Sequence, residues 1–181
     1  YMLPPLTLLE EDSGEPSSGD IKTTATVIKR ALATFGIEVE MGKVFIGPTV
    51  SQYTFKPSVG VKLSKITALQ NDLALSLAAS SIRIEAPIPG KSLVGIEVPN
   101  KVRSVVTLRN LITQPAYQNA VSPLFIALGR NVSGSAVFAD MMDGPHLLVA
   151  GATGTGKTIF LNTLILSLLY KCTPDNLRLI M

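Results

Sequence analysis

The sequence predicts a mixed α+β unit followed by the strand–helix–strand opening of a parallel α/β sheet, and three observations carry that prediction. Between residues 20 and 115, runs with apolar spacings of three and four alternate with runs of period two, the pattern of helices interleaved with antiparallel strands. Residues 147–150, 156–171 and 177–181 then read as apolar strand, apolar helix and apolar strand, the order of a βαβ unit covered on both faces. A glycine-rich turn joins that strand to that helix. With 181 residues and 46% hydrophobic content, the chain can fill one ordinary domain, or a small domain with part of another.

Each element follows from local chemistry. Glu10 to Gly19, EEDSGEPSSG, is acidic and holds no apolar residue to bury, so it reads as a mobile linker. Asp20 offers an N-cap oxygen to a helix whose face is Ile21, Ala25, Ile28, Leu32 and Phe35, and Gly36 suits its end. Ser51, Tyr53 and Phe55 then alternate with Gln52, Thr54 and Lys56, which predicts a half-buried strand. Ile66, Leu69, Leu73 and Leu77 form one stripe of a second helix. Residues 81–86 and 92–99 are β-type runs joined through Ile88-Pro89-Gly90-Lys91, where Pro then Gly fits a type II turn. In the last part the helix 156–171 is apolar on nearly every side. A lone βαβ unit leaves strand edges unpaired, so these residues are expected to belong to a longer protein.

Composition removes several classes of function. The chain has one cysteine, Cys172, and one histidine, His146, which leaves no disulfide framework and no zinc ligand set. A reducing cytosol suits this best. His146 precedes the apolar strand with no partner for a catalytic dyad and reads as a capping or packing residue. Cys172 reads as a half-buried small residue, with only Lys171 beside it as a cation. No run approaches the roughly 20 apolar residues of a membrane span, and no basic segment leads into an apolar one at the start. Residues 41–110 carry nine Lys/Arg against three Asp/Glu. That balance can attract phosphate backbones, and it equally suits a solvated surface.

The chemistry sits at residues 151–158. Gly151, Ala152, Thr153, Gly154, Thr155, Gly156, Lys157 and Thr158 spell GATGTGKT, the phosphate-binding P-loop pattern in the strand–turn–helix context its mechanism requires. The helix start aims backbone N–H groups and the positive end of the helix dipole at one point. Gly151, Gly154 and Gly156 let the main chain approach phosphates without a Cβ in the way. Lys157 is expected to reach the β and γ phosphates of ATP, and the Thr158 hydroxyl to ligate Mg²⁺. A glycine-rich turn of purely structural purpose is the alternative. Hydrolysis also needs a carboxylate at the end of a neighbouring strand, and commonly an arginine from another subunit. Asp140 and Asp143 precede the strand and Asp175 follows the helix, so no catalytic residue is assigned.

Five phrases together resemble the FtsK/SpoIIIE family of bacterial DNA translocases: YMLPPLTLL at 1–9, GPTVSQYTF at 47–55, GVKLSKI at 60–66, APIPGKSLVGIEVPN at 86–100 and PHLLVAGATGTGKT at 145–158. They stand in the family's order and span nearly the whole chain. The resemblance implies a flexible linker over 1–19, the α subdomain of the motor over 20–120, and the N-terminal part of a RecA-like β subdomain over 121–181. It implies a homo-oligomer, a hexameric ring around double-stranded DNA, pumping the duplex with ATP during chromosome segregation at cell division. It further implies a cytoplasmic motor tethered to the inner face of the membrane by an N-terminal region outside these residues. The Mg²⁺-supporting Asp and the winged-helix DNA reader would lie after Met181. Two readings stand: a ring motor ATPase that contacts phosphates without reading bases, or a non-catalytic piece that binds nucleotide and DNA or mediates ring contacts. Among the basic residues, Lys56, Lys62 and Lys65 have no stronger claim on DNA than Lys101 or Arg103.

Overall fold

Asp20 begins the first regular element. Its side chain accepts from the Thr23 amide at 3.1 Å and from the Thr23 hydroxyl at 2.6 Å, satisfying a donor that the first helical turn leaves without an intrahelical acceptor. The same bonds, the Thr23 hydroxyl foremost, hold the Asp20 carboxyl below its ordinary value. Helix α1 runs Ile21–Thr34, and Gly36 follows it with φ at +69°. This computed structural model describes residues 1–11, 14, 16–144 and 146–180. They divide into two compact units, one made of residues 14–104 with 132–134, the other of residues 1–13, 105–131 and 135–181.

The first unit is a four-stranded antiparallel sheet with helices on one face. Strands β1 (Val39–Ile46), β2 (Val50–Pro57), β3 (Arg83–Glu85) and β4 (Val94–Pro99) lie in the order β1-β2-β4-β3. Tyr53 and Phe55 of β2 and Val94 and Ile96 of β4 meet Ile28 and Leu32 of α1 in the core. Two short helices, α2 (Leu63–Ala68) and α3 (Gln70–Ser76), add Ile66 and Leu73 to it. The single stripe expected over residues 66–77 is thus broken at Leu69, whose ψ of 10° ends one helix and starts the next. The turn before β4 forms as expected, with the Lys91 amide bonding to the Ile88 carbonyl at 3.0 Å and Gly90 at φ +72°.

Two expectations change here. Phe35 is 39% exposed and lies past the last helical turn, so the helix face that reaches the core is Ile28 and Leu32, with Ile21 and Ala25 partly buried against it. Strand β2 is not half-buried: Gln52 and Thr54 are as covered as Tyr53 and Phe55. A central strand has neighbours on both edges, and its polar face finds partners that permit burial. Thr54 Oγ1 donates to the Lys43 carbonyl at 2.6 Å, and Gln52 Nε2 to Glu85 at 3.2 Å. Strand β1 hides its alternation because the register slips between Met41 and Val44, a bulge that turns successive side chains out of phase.

Asn100 locks the turn between β1 and β2. Its Oδ1 accepts from the Ser51 hydroxyl at 2.7 Å and its Nδ2 donates to the Gly47 carbonyl at 2.8 Å, all in a buried setting. Asn100→Ala is expected to destabilise the unit by about 1–3 kcal/mol, since it strands a buried hydroxyl and a carbonyl. Asn100→Asp retains the Ser51 partner but offers no donor to Gly47, and it too lowers the urea midpoint. A variant with an unchanged midpoint would show that the turn holds without this side chain.

The second unit is smaller. Helices α4 (Leu108–Ile112) and α5 (Pro115–Gln118) precede a hairpin of β5 (Phe125–Arg130) and β6 (Ala136–Asp140), and α6 (Lys157–Leu169) follows. Its core is Leu111, Ile112, Tyr117 and Ala127, with Phe125, Phe138 and Tyr170 against it. Residues 105–120, placed with the preceding subdomain by the resemblance, pack here because Leu111, Ile112 and Tyr117 bury on the hairpin. Residues 10–19 are not loose throughout: Glu11 pairs with Arg109 at 3.0 Å, and Ser17 forms a two-bond bridge with Val102. Asp12, Ser13 and Glu15 of that stretch lie outside the described residues.

Candidate functional site

The end of α6 away from the loop is the anchored one. Ser167 is fully buried, its hydroxyl accepting from the Ala127 amide of β5 at 3.3 Å and donating to the Thr163 carbonyl at 2.8 Å. Near the C-terminus of a helix the carbonyls lose their intrahelical donors, and the Tyr117 hydroxyl donates to that of Ser167. Burial pushes the Tyr117 phenol well above its ordinary value, so it stays a donor. Lys171 Nζ in turn donates to the carbonyls of Tyr117 at 2.8 Å and Ala120 at 2.7 Å, the ends left open by α5. These bonds fix the axis of α6, and its N-terminus projects from that support.

The N-terminus carries the predicted site residues, and the structure brings all eight together in one exposed loop and first turn. Gly156 caps α6 in the left-handed region, φ 98° and ψ 12°, and Gly154 has φ +79°; a side chain at either would be strained. Gly151 has no room for a Cβ, which would meet Thr155 Oγ1 at 2.6 Å. The loop is closed by the Thr155 hydroxyl donating to the Ala152 carbonyl at 2.7 Å. Lys157 Nζ folds back onto the carbonyls of Gly151 at 2.6 Å and Ala152 at 2.7 Å. Beside it, Thr153, Gly154, Gly156, Lys157, Thr158 and Ile159 line an open cavity of about 430 Å³.

This geometry places donors and one cation along the same cavity. The amides of Thr153, Gly154 and Gly156 have no acceptor among the described residues, and neither has the Thr158 hydroxyl. Free amides at a helix N-terminus, two glycines with left-handed backbone and a lysine held only by loop carbonyls suit a group of phosphate oxygens. Among the described residues no carboxylate lines the cavity. Asp140 serves elsewhere, accepting from the Ser122 hydroxyl at 2.8 Å and the Met142 amide at 2.9 Å. His146 is exposed. Cys172 is buried against the Pro123 carbonyl at 3.1 Å, and burial raises its thiol, in keeping with a packing role.

The segments flanking the loop and helix differ from expectation. Residues 147–150 and 177–180 form no strand ladder among the described residues, and Met181 lies outside them. A strand requires a hydrogen-bonded neighbour, and both sheets present pair their strands elsewhere. Leu148 and Ile180 are accordingly exposed, as are Ile159 and Leu161 on α6. The apolar helix is covered only along its C-terminal half, where β5 and Tyr117 reach it. Among the described residues no helix is long and apolar enough to cross a membrane, and no group of His, Cys, Asp and Glu could hold a metal ion.

Comparison with known proteins follows the same division. The family model described as FtsK alpha domain matches residues 3–100, and that of the FtsK/SpoIIIE family matches residues 107–181. The DNA translocase FtsK of Clostridium acetobutylicum is 46% identical over the whole of this chain and 24% of its own length. That of Caldanaerobacter subterraneus subsp. tengcongensis is 46% identical over the whole chain and 26% of its own. The chain therefore spans about a quarter of the length of these relatives. A solved structure of the pCW3 conjugation coupling protein TcpA, in monomer form with ATPgS, overlaps 81% of this chain and 42% of that one at 19% identity, with a TM-score of 0.36. The order of domains is the expected one, an α+β FtsK alpha domain followed by the start of the FtsK/SpoIIIE motor domain. On both halves of its length, this chain belongs to the FtsK/SpoIIIE family.

Proposed function

We propose that this chain is part of an ATP-driven translocase of double-stranded DNA, and that residues 151–158 are its nucleotide site. The observation that carries the reading is the loop itself: Thr153, Gly154 and Gly156, whose amides have no acceptor among the described residues, line one open cavity with Lys157 and Thr158 at the start of α6. ATP supplies the phosphoryl-transfer energy when bound. The loop amides and the α6 N-terminus would hold its phosphates, and Lys157, now on the Gly151 and Ala152 carbonyls, would supply the cation. The Thr158 hydroxyl, without a partner among the described residues, is the group this chain would offer to Mg²⁺. The family supports a full-length protein that assembles as a hexameric ring around the duplex, is tethered at the inner face of the membrane, and moves DNA in chromosome segregation at cell division. The residues up to about 100 are the motor's α subdomain in this reading, and those from 107 onward belong to its ATPase part.

One observation favours a narrower reading for the 181 residues by themselves: among the described residues no carboxylate lines the cavity. In that reading the chain binds nucleotide without turning it over. The translocase reading is tested by giving the full-length protein ATP, Mg²⁺ and a duplex carrying a bound third strand, and the narrower one by giving the 181-residue chain the same mixture, where ATP should bind without hydrolysis. In the full-length protein, duplex-stimulated hydrolysis with release of the third strand is expected. Binding of ATP with no response of hydrolysis to duplex would overturn the translocase reading and leave nucleotide binding alone.

A further inference from the structure

Outside the loop, the second unit brings two arginines to the same short helix. Arg109 lies on α4, and its guanidinium meets the Glu11 carboxylate at 3.0 Å. Arg130, at the end of β5, donates to Asn110 Oδ1 on the same helix. Gln114 Nε2 also reaches Asn110 Oδ1, at 3.5 Å. With its oxygen so engaged, the Asn110 amide presents Nδ2 as its remaining polar end. Glu11, Arg109, Asn110 and Thr113 line a polar cavity of about 310 Å³.

The ion pair in this cavity is asymmetric. The Arg109 side chain is 29% exposed and that of Glu11 76%, so the guanidinium is the built member and the carboxylate the one held only at its tip. An exposed pair of this kind contributes little to stability. A carboxylate on a guanidinium makes the same planar, charge-assisted contact that a phosphate oxygen makes, and a phosphate brings more charge and more acceptors.

We propose that the α4 cavity is a binding site for a phosphate group, with Arg109 and the Asn110 amide as its donors, Arg130 fixing the orientation of Asn110, and Glu11 as an internal competitor that occupies it. Inorganic phosphate or nucleotide and the backbone of a duplex share this chemistry. The site is separate from residues 151–158 and does not depend on their role.

The test is a titration of the isotope-labelled 181-residue chain followed by amide resonances, in a Lys157→Ala background that weakens phosphate binding at the loop. Saturable shifts at Arg109, Asn110 and Thr113 on adding inorganic phosphate are expected. Glu11→Gln, which removes the competing charge, tightens that response about two- to fivefold, the worth of an exposed ion pair. Arg109→Gln removes the response, and Arg109→Lys, which keeps charge but loses the planar fork, weakens it. A response to a short duplex but not to phosphate identifies the source as nucleic-acid backbone, and a response to phosphate alone identifies a free phosphate or nucleotide. No saturable shift at α4 with either probe, in the Glu11→Gln variant as well, overturns the proposal. The wild-type chain reports separately on residues 151–158: ATP shifts there, with no shift at α4 from either phosphate or duplex, would remove this site and leave the nucleotide reading intact.

Discussion

Lys157→Ala in the full-length protein is expected to abolish ATP-driven movement of duplex DNA and to weaken ATP binding by about a hundredfold or more. The magnitude follows from the chemistry of the side chain. Hydrogen bonds to charged groups contribute roughly 1.5–3 kcal/mol each, and Lys157 already makes two short ones, to Gly151 and Ala152, that it can exchange for phosphate oxygens. The fold loses little, because those carbonyls are in an exposed loop that water can solvate; surface changes of this kind usually stay within about 0.5 kcal/mol. The two effects separate cleanly by measurement. Nucleotide affinity by calorimetry should collapse while the thermal midpoint stays within a degree or two of wild type. Retained translocation, or a large drop in the midpoint, would mean that Lys157 acts as a structural clasp on the loop rather than as a phosphate ligand.

That test is sharp because the loop was legible in the sequence at the level of single residues. Glycines at 151, 154 and 156 and the Lys-Thr pair that follows have few other reasons to occur together between an apolar run and an apolar helix. Asp20 and Gly36 were equally readable, since caps are set by chemistry within a few residues. What sequence could not supply was everything decided by distant partners. Strand β1 escaped detection because its bulge at Met41–Val44 breaks the alternation. Gln52 and Thr54 looked like a solvent face because nothing local announces Glu85 and the Lys43 carbonyl as their partners. The β5–β6 hairpin and helices α4 and α5 were missed altogether, although the short apolar runs Phe125-Ile126-Ala127-Leu128 and Ala136-Val137-Phe138-Ala139 could have signalled paired strands. The segments at 147–150 and 177–180 show the converse: apolar runs suited to strands stay without a ladder where no neighbour is offered.

Phe55→Ala is expected to have the largest effect on stability, and Phe35→Ala serves as its control. Both residues are phenylalanines in the first unit, and the helix spacing alone would put Phe35 in the core with Leu32. The structure separates them. Phe55 is fully buried at the centre of β2, between β1 and β4 and beneath α1, whereas Phe35 is 39% exposed beyond the helix end. Truncating a fully buried phenylalanine costs about 3–5 kcal/mol, the transfer term plus the cavity left behind. Such a loss is a large share of the 5–15 kcal/mol typical of a whole domain. Phe35 has a solvated ring and no enclosed cavity to leave, so its truncation should cost under about 1 kcal/mol. Amide exchange at Tyr53 and Ile96 in the sheet is the appropriate reading, because it reports the opening of this unit regardless of what the second unit does. In Phe55→Ala those amides should exchange at least about a hundredfold faster; in Phe35→Ala they should change by less than about tenfold. Equal acceleration in the two variants would restore Phe35 to the core face of α1 and overturn the packing described for it.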